Sequence, residues 1–366
     1  MKSRTFLACG MSLVMAAGLL SGCGGGGGET TAASGSTAAQ ESEAASQNTE
    51  AASQNGGADA QDGVKVEVAD GETIQVGIIQ HMDHPSLNQI YETIAEELQP
   101  LVDEGKIEIL YQNANGDTTI LPTIMQELIT EGADILVPIA TPTAQVAAST
   151  TQDIPIVFSA VSNPVEAGLV TSLDQTDGNI TGVSNSIPVD QILDLALELT
   201  PDIQTIGMVY NTSEINSVTG IESAKAYCDA HNLAYEEATV TGTADVQQAA
   251  ASLAGSVDAY FTPNDNTVAS AMAVYLQVAN EAGVPIYVGA DSMVIDGGLA
   301  TVGIDYTVLG RQTAQMVERL VNGETIAENP VEQIAEYARM INVATANQLG
   351  ITVTDEMRES FTLLGE

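Results

Sequence analysis

From Thr73 onward the chain alternates between two rhythms of apolar and polar positions. The run "TIQVGIIQ" (73–80) is rich in β-branched residues and almost unbroken, the pattern of a strand buried on both faces. Leu87, Ile90, Tyr91, Ile94, Leu98 and Leu101 then recur at helical spacing. "KIEILYQ" predicts a strand, 118–131 a helix, "DILVPIA" a strand, 142–151 a helix and "IPIVFSA" another strand. Continuous apolar strands separated by amphipathic helices predict βαβ units, and therefore a parallel sheet covered on both faces.

The rhythm lapses around "NITGVSNSIP" (179–188) and then restarts. Ile192, Leu195, Ala196 and Leu199 mark a helix, followed by strand "TIGMVY", a helix over 214–231, strand "AYEEATV" and a helix over 243–254. Strand "DAYFT", a helix over 267–282 and strand "PIYVGA" continue the series. Two successive open α/β sheets, hence two lobes, are the simplest reading. The tail holds "LATVGI", a helix over 307–322 and a late strand in "EYARMINVA". These place 72–183 with 301–328 in the first lobe, and 184–300 with 329–366 in the second.

The first 71 residues follow neither rhythm. Lys2 and Arg4 precede a short apolar run ending in "LSGC" at Leu20–Cys23. A basic start, a short apolar stretch and small residues at its end predict an export signal over 1–22. "LSGC" resembles a bacterial lipobox, which implies cleavage before Cys23 and acylation of its thiol. Residues 24–63 begin with five glycines and contain no aliphatic residue larger than Ala. Such a segment cannot bury a core, so 23–71 is expected to be a lipid-anchored flexible linker at the outer face of the cell membrane.

Charge narrows the partners. Forty-nine acidic residues stand against nine Lys plus Arg, a formal net charge of −40. That balance disfavours nucleic acid and charge-driven docking on anionic lipid. Of Cys9, Cys23 and Cys228, the first two lie in the export segment. The body therefore has no intrachain disulfide and must stand on its core.

Open α/β sheets bind ligands beyond the carboxyl ends of their strands. The segments there are "QHMDHPS" (80–86), "ATPTAQ" (140–145), "SAVSNP" (159–164), "YNTSEINS" (210–217), "TPNDNT" (262–267), "GADSM" (289–293) and "GIDYT" (303–307). Each carries Ser, Thr, Asn or Asp, which are also the residues that cap helices. A cap needs only one such residue, whereas "YNTSEINS" and "TPNDNT" carry several, so a ring of hydrogen-bonding groups facing a cleft is expected. Arg311 is the basic side chain near these segments, which argues against a strongly anionic ligand. Glu214, Asp265, Asp291 and Asp305 suit an ammonium, while helix N-termini and hydroxyls suit a carboxylate, so the expected ligand is a zwitterion. Phe158, Tyr210 and Tyr306 stand beside these segments, either as ligand-packing aromatics or as core residues.

Catalytic motifs do not emerge: G-x-S-x-G, the P-loop and H-E-x-x-H are missing from the sequence. His81 and His84 flank Asp83, but a metal site there is a weaker reading than a polar loop with His84 capping a helix before Pro85. No cofactor is called for, and an enzyme on the same scaffold would need a nucleophile–base pair that the three histidines do not supply.

The segments "GIIQ…HPSL", "YQNANGD", "ATPTAQ", "IPIVFSAVSNPVEAGLV", "NITGVSN", "TIGMVYNTSEINSV", "ATVTGTADVQQAAASL", "TPNDNTVASAM" and "ATVGIDYTVLGRQTAQM" together resemble the ABC-transporter substrate-binding proteins of tryptophan and tyrosine uptake. The resemblance covers about residues 73–350. It implies a type I periplasmic-binding fold: two Rossmann-like lobes with parallel sheets, joined by a three-crossover hinge and closing on one small ligand. It implies delivery of a small amino acid, of the aromatic class Trp, Tyr or Phe, to permease transmembrane subunits. The site expected on this basis comprises Gln80, His81, Thr141, Ser159, Asn163, Asn211, Ser213, Asn264, Asp265, Asn266, Asp291 and Asp305. Asp305 and Asp291 are expected to take the ammonium, and Thr141 and Ser159 the carboxylate. "HMD" before "HP" departs from the aliphatic–aromatic stretch expected there. The alternative is the same fold holding a sugar, nucleoside or signal molecule for a sensor.

Overall fold

The computed structural model describes residues 63–365 apart from 70, 177 and 335. The export segment 1–22, Cys23 and the linker through residue 62 lie outside the described residues.

The chain begins with β1 (Ile74–Gln80), α1 (Pro85–Asp103), β2 (Ile107–Asn113), α2 (Leu121–Thr130), β3 (Ile135–Ile139), α3 (Thr141–Thr150), β4 (Ile156–Val161) and β5 (Ile180–Ser184). It crosses to α4 (Val189–Leu199), β6 (Thr205–Asn211), α5 (Ile215–His231), β7 (Ala234–Val240), α6 (Val246–Leu253), β8 (Ala259–Thr262), α7 (Asn266–Ser270), α8 (Met272–Ala282), β9 (Ile286–Val288), α9 (Asp291–Ile295) and β10 (Ala300–Gly303). It then returns as α10 (Tyr306–Val321) and β11 (Glu332–Gln333), and ends in β12 (Ala338–Asn342), α11 (Val343–Leu349), α12 (Asp355–Ser360) and β13 (Thr362–Leu364).

The first sheet has the order β11-β5-β4-β3-β1-β2 and is parallel throughout. The second has the order β13-β12-β10-β9-β8-β6-β7, with β10 and β12 antiparallel. Successive strand residues face opposite layers of helices. In the first lobe Ile78 packs with Ile90, Ile94, Leu309 and Val317, while Ile79 packs with Leu121, Met125 and Leu128. In the second, Phe261 and Met208 face Ile192, Ala196 and Ile221, and Tyr260 faces Leu253 and Tyr275. Gly310 lets α10 approach α1: a Cβ there would lie 2.8 Å from Thr93 Cβ and 3.0 Å from the Ile90 carbonyl oxygen. Cys228 is buried beside Ala224 and carries no disulfide.

Two α/β lobes joined by three crossings are what the sequence led one to expect, with four local differences. Strand β10 belongs to the second sheet, where Thr301 Oγ1 donates to the Val288 carbonyl at 2.6 Å, so the return to the first lobe follows Gly303 rather than starting at 301. Strand β11 pairs with β5, so the last crossing lies between Gln333 and Ala338, not at 329. Val64, Val66 and Val68 pack on the core, and the Ile326 N–H donates to the Val64 carbonyl at 2.8 Å, so the end of the expected linker belongs to the first lobe. The helix expected over 267–282 breaks at Ala271. Ser270 Oγ, at the end of α7, donates back to the Asn266 carbonyl at 3.0 Å, a bond that competes with helix continuation.

Candidate functional site

The carboxyl ends of the strands in both sheets face one cleft, as the topology of open parallel sheets requires. An outer cavity of about 400 Å³ lies between the lobes. The first lobe lines it with His81–Asp83, Asn115, Gly116, Thr118 and Pro142. The second contributes Asn211, Ser213, Glu214, Thr241–Thr243, Thr267 and Ser270. No Lys or Arg lines it, and no Phe or Tyr; hydroxyls, amides and carboxylates alternate with the His81 ring, Met82, Pro142 and glycine backbone. A second, much smaller cavity of about 10 Å³ is bounded by His84, Ser162, Asn185, Asn216, Asn264–Asn266 and Tyr306 among others.

Glu214 organises the second lobe's wall. Its Oε1 accepts from the Thr267 N–H at 3.0 Å and Thr267 Oγ1 at 2.8 Å. Its Oε2 accepts from the Asn266 N–H at 3.1 Å, Asn266 Nδ2 at 2.5 Å and Asn216 Nδ2 at 3.2 Å. Asp265 beside it accepts from the Asn211 N–H at 2.7 Å and caps α7 through the Val268 N–H at 2.8 Å. Complete burial and then the Glu214 charge push the Asp265 carboxyl up, against the stabilising backbone donors.

The lobes are latched directly. His84 Nε2 meets Asn266 Oδ1 at 3.2 Å, and Ser86 meets Ser292. Asn264 Nδ2 donates to Ser162 Oγ at 2.9 Å and to the Asn185 carbonyl at 3.2 Å. Thr219 Oγ1 donates to Glu166 at 2.9 Å. Burial pushes the His84 imidazole down to about 4 and lowers His81 as well, so both rings are neutral at physiological pH.

The expected site residues divide by position. His81, Asn211 and Ser213 line the outer cavity, and Asn264, Asp265 and Asn266 the inner one. Gln80 is buried behind the β1–α1 loop, donating to the Met82 carbonyl at 2.7 Å and Asn88 Oδ1 at 2.6 Å. Ser159 hydrogen-bonds Thr313 of its own lobe at 2.8 Å. Asn163 lines a separate groove and donates to Glu166 at 2.9 Å. Thr141 is buried at the start of α3 with its hydroxyl unpartnered. Asp305 is an N-cap, accepting the Thr307 and Val308 N–H groups at 3.0 and 3.1 Å. Asp291 is buried, bonded to the Ser292 N–H at 2.6 Å and pushed up to about 7 by desolvation. Neither aspartate lines either cavity. Phe158 and Tyr210 are core side chains, and Arg311 pairs outward with Glu97 at 2.8 Å.

Other lining residues lay outside the expected set. Asn115, Gly116 and Thr118 follow the edge strand β2 and Thr241–Thr243 the edge strand β7, and "NANGDT" and "TGTAD" are polar strand ends by the same rule as the others. His84 occupies the N-cap position of α1, but its side chain does not cap; it crosses the cleft instead.

Residues 75–362 match the family of ABC transporter substrate binding proteins. The chain is 36% identical over 276 residues to a tyrosine-binding protein of Clostridioides difficile, covering 75% of this chain and 80% of that one. Its fold resembles an ABC domain from Streptococcus pneumoniae in complex with L-Trp, with TM-score 0.76 and 35% identity over 80% of this chain and all of the other. A ligand-free, open substrate-binding protein with adhesive properties from Clostridium difficile gives TM-score 0.61 at 32% identity, covering 80% of this chain and 99% of the other.

Proposed function

We propose a specific role on the premise that the chain belongs to the ABC transporter substrate binding protein family: it captures L-tyrosine, ahead of phenylalanine and tryptophan, and hands it to a membrane permease. The observation that carries the reading is the outer cavity, lined from both lobes by small hydrogen-bonding groups and no basic side chain. Its 400 Å³ falls within the ordinary range for small-molecule sites. Tyrosine is placed first because its phenol finds hydroxyl and amide partners in walls that hold no Phe or Tyr, and because a relative carries that ligand in its name.

Capture proceeds by closure. Groups from both lobes contact the ligand only when the cleft is shut, so binding favours the closed state, and docking on the permease reopens it. The protein acts by binding, without chemistry on its ligand. Export and acylation at Cys23 belong to the same proposal and rest on "LSGC" and the low-complexity stretch that follows it.

A thermal-shift screen of the mature protein, purified in detergent, against all amino acids, several sugars and nucleosides tests the reading. A ligand with Kd of ~1 µM supplied at ~1 mM adds about 4 kcal/mol to folding stability. The expected result is a large rise with tyrosine and smaller rises with phenylalanine and tryptophan. A rise confined to sugars or nucleosides would overturn the amino-acid assignment.

A further inference from the structure

The inner cavity contains two buried atoms whose chemical character can be deduced from their neighbours. Glu214 can only accept hydrogen bonds, so the Asn266 atom 2.5 Å from it is the amide nitrogen and the Asn266 oxygen faces His84. His84 Nε2 therefore carries the hydrogen, and its Nδ1 is a bare lone pair. That Nδ1 is buried with no hydrogen-bond partner. Asn216 is fixed in the same way: its nitrogen faces Glu214 Oε2 and the Asn264 carbonyl, both at 3.2 Å, which leaves its Oδ1 as acceptor. That oxygen is also buried and unpartnered. His84 and Asn216 are 6% and 5% exposed, and both line the inner cavity.

We propose that His84 Nδ1 and Asn216 Oδ1 receive the ammonium group of the bound amino acid in this inner cavity, an assignment that rests on the amino-acid reading above.

Two unpartnered acceptors of residues that line one small cavity call for a group with at least two N–H or O–H donors. The cavity, about 10 Å³, holds one group the size of a water or an ammonium. Charge selects the cation: Glu214 holds Asn216 from behind. Buried acceptors left without a donor are costly, so a ligand that fills the position gains more than the bond alone. His84 and Asn266 are followed or preceded in sequence by Asp83 and Thr267, which line the outer cavity. The assignment sets the ammonium in the inner cavity and the rest of the ligand in the outer one.

Calorimetric titration of the mature protein in detergent tests this with L-tyrosine and with 3-(4-hydroxyphenyl)propionate, which lacks the amine. Wild type is expected to prefer tyrosine by about 100-fold or more, and His84→Ala and Asn216→Ala each to weaken tyrosine by about 10- to 100-fold. Asn216→Ala, whose bonds lie within the second lobe, is expected to leave the deaminated ligand within about threefold, whereas His84→Ala also breaks the latch to Asn266 and is expected to weaken both ligands, tyrosine by about 10-fold more than the other. Equal loss of both ligands in the alanine variants would assign the pair a structural role and overturn the proposal. Equal binding of both ligands by wild type would assign the cavity to an ordered water, with the same consequence. If the alanine variants do not fold, the wild-type ligand pair decides the matter. Wild type that binds no amino acid would refute the broader reading instead, and that failure is visible before any substitution is made.

Discussion

His84 of the first lobe and Asn266 of the second hydrogen-bond across the cleft at 3.2 Å, and the same asparagine holds Glu214 at 2.5 Å. One side chain therefore joins the closing contact to the group that organises the second lobe's wall. Asn266→Ala leaves the imidazole without its acceptor and should shift the ligand-free equilibrium toward the open form by about 1–3 kcal/mol. Small-angle scattering should record a larger radius of gyration than for wild type. An unchanged radius would show that this bond does not hold the lobes together.

Glu214 accepts five hydrogen bonds from three residues of its own lobe. Glu214→Gln turns one accepting atom into a donor that faces donors. The expected loss is about 3 kcal/mol of folding stability, read as a lower midpoint in urea unfolding without ligand. A midpoint within error of wild type would mean that the network rearranges at no cost.

Asp291 and His84 pull stability in opposite directions with pH. Asp291 keeps its proton in the folded chain up to about 7, whereas an unfolded aspartate releases it near 3.8. The stabilisation this provides is complete in acid and is lost as pH rises through 7, amounting to about 4 kcal/mol. His84 stays neutral when folded down to about 4, so its contribution is present above 6.5 and is lost as pH falls toward 4. Asp291→Asn keeps an acceptor for the Ser292 N–H and removes the first effect alone. The variant should melt above wild type at pH 8, with the difference vanishing near pH 4. A difference independent of pH would show that Asp291 is not buried as a carboxylic acid.

Gly310 sits where α10 crosses α1, and a methyl group there meets a backbone oxygen that cannot move aside. Gly310→Ala should cost about 1–3 kcal/mol despite its better helix propensity. Gly255→Ala, with open space around it, should be near neutral in the same melting experiment. Equal effects at the two positions would refute the close-approach argument.

The strands were legible because parallel strands buried on both sides read as continuous apolar runs. The edge strands β2 and β7 were legible too, since β-branched and aromatic residues persist beside their charges. Short elements such as α9 and β13 carry too few residues for any period to emerge. At the cleft, the polar strand ends were visible but the direction of each side chain was not. Asp305 and Asn266 both follow a strand and stand at a helix start. In "GIDY" the aspartate must cap its own helix, whereas in "PNDN" Asp265 caps and frees Asn266 to cross to the other lobe. That distinction depends on three-dimensional placement, which no local pattern of residue types encodes.

Val64, Val66 and Val68 lie against the first lobe, held there by the Ile326 N–H at the end of Val64. The chain therefore enters the described structure on the first lobe, and a change in the separation of the lobes leaves residues 63–68 on that side of the cleft.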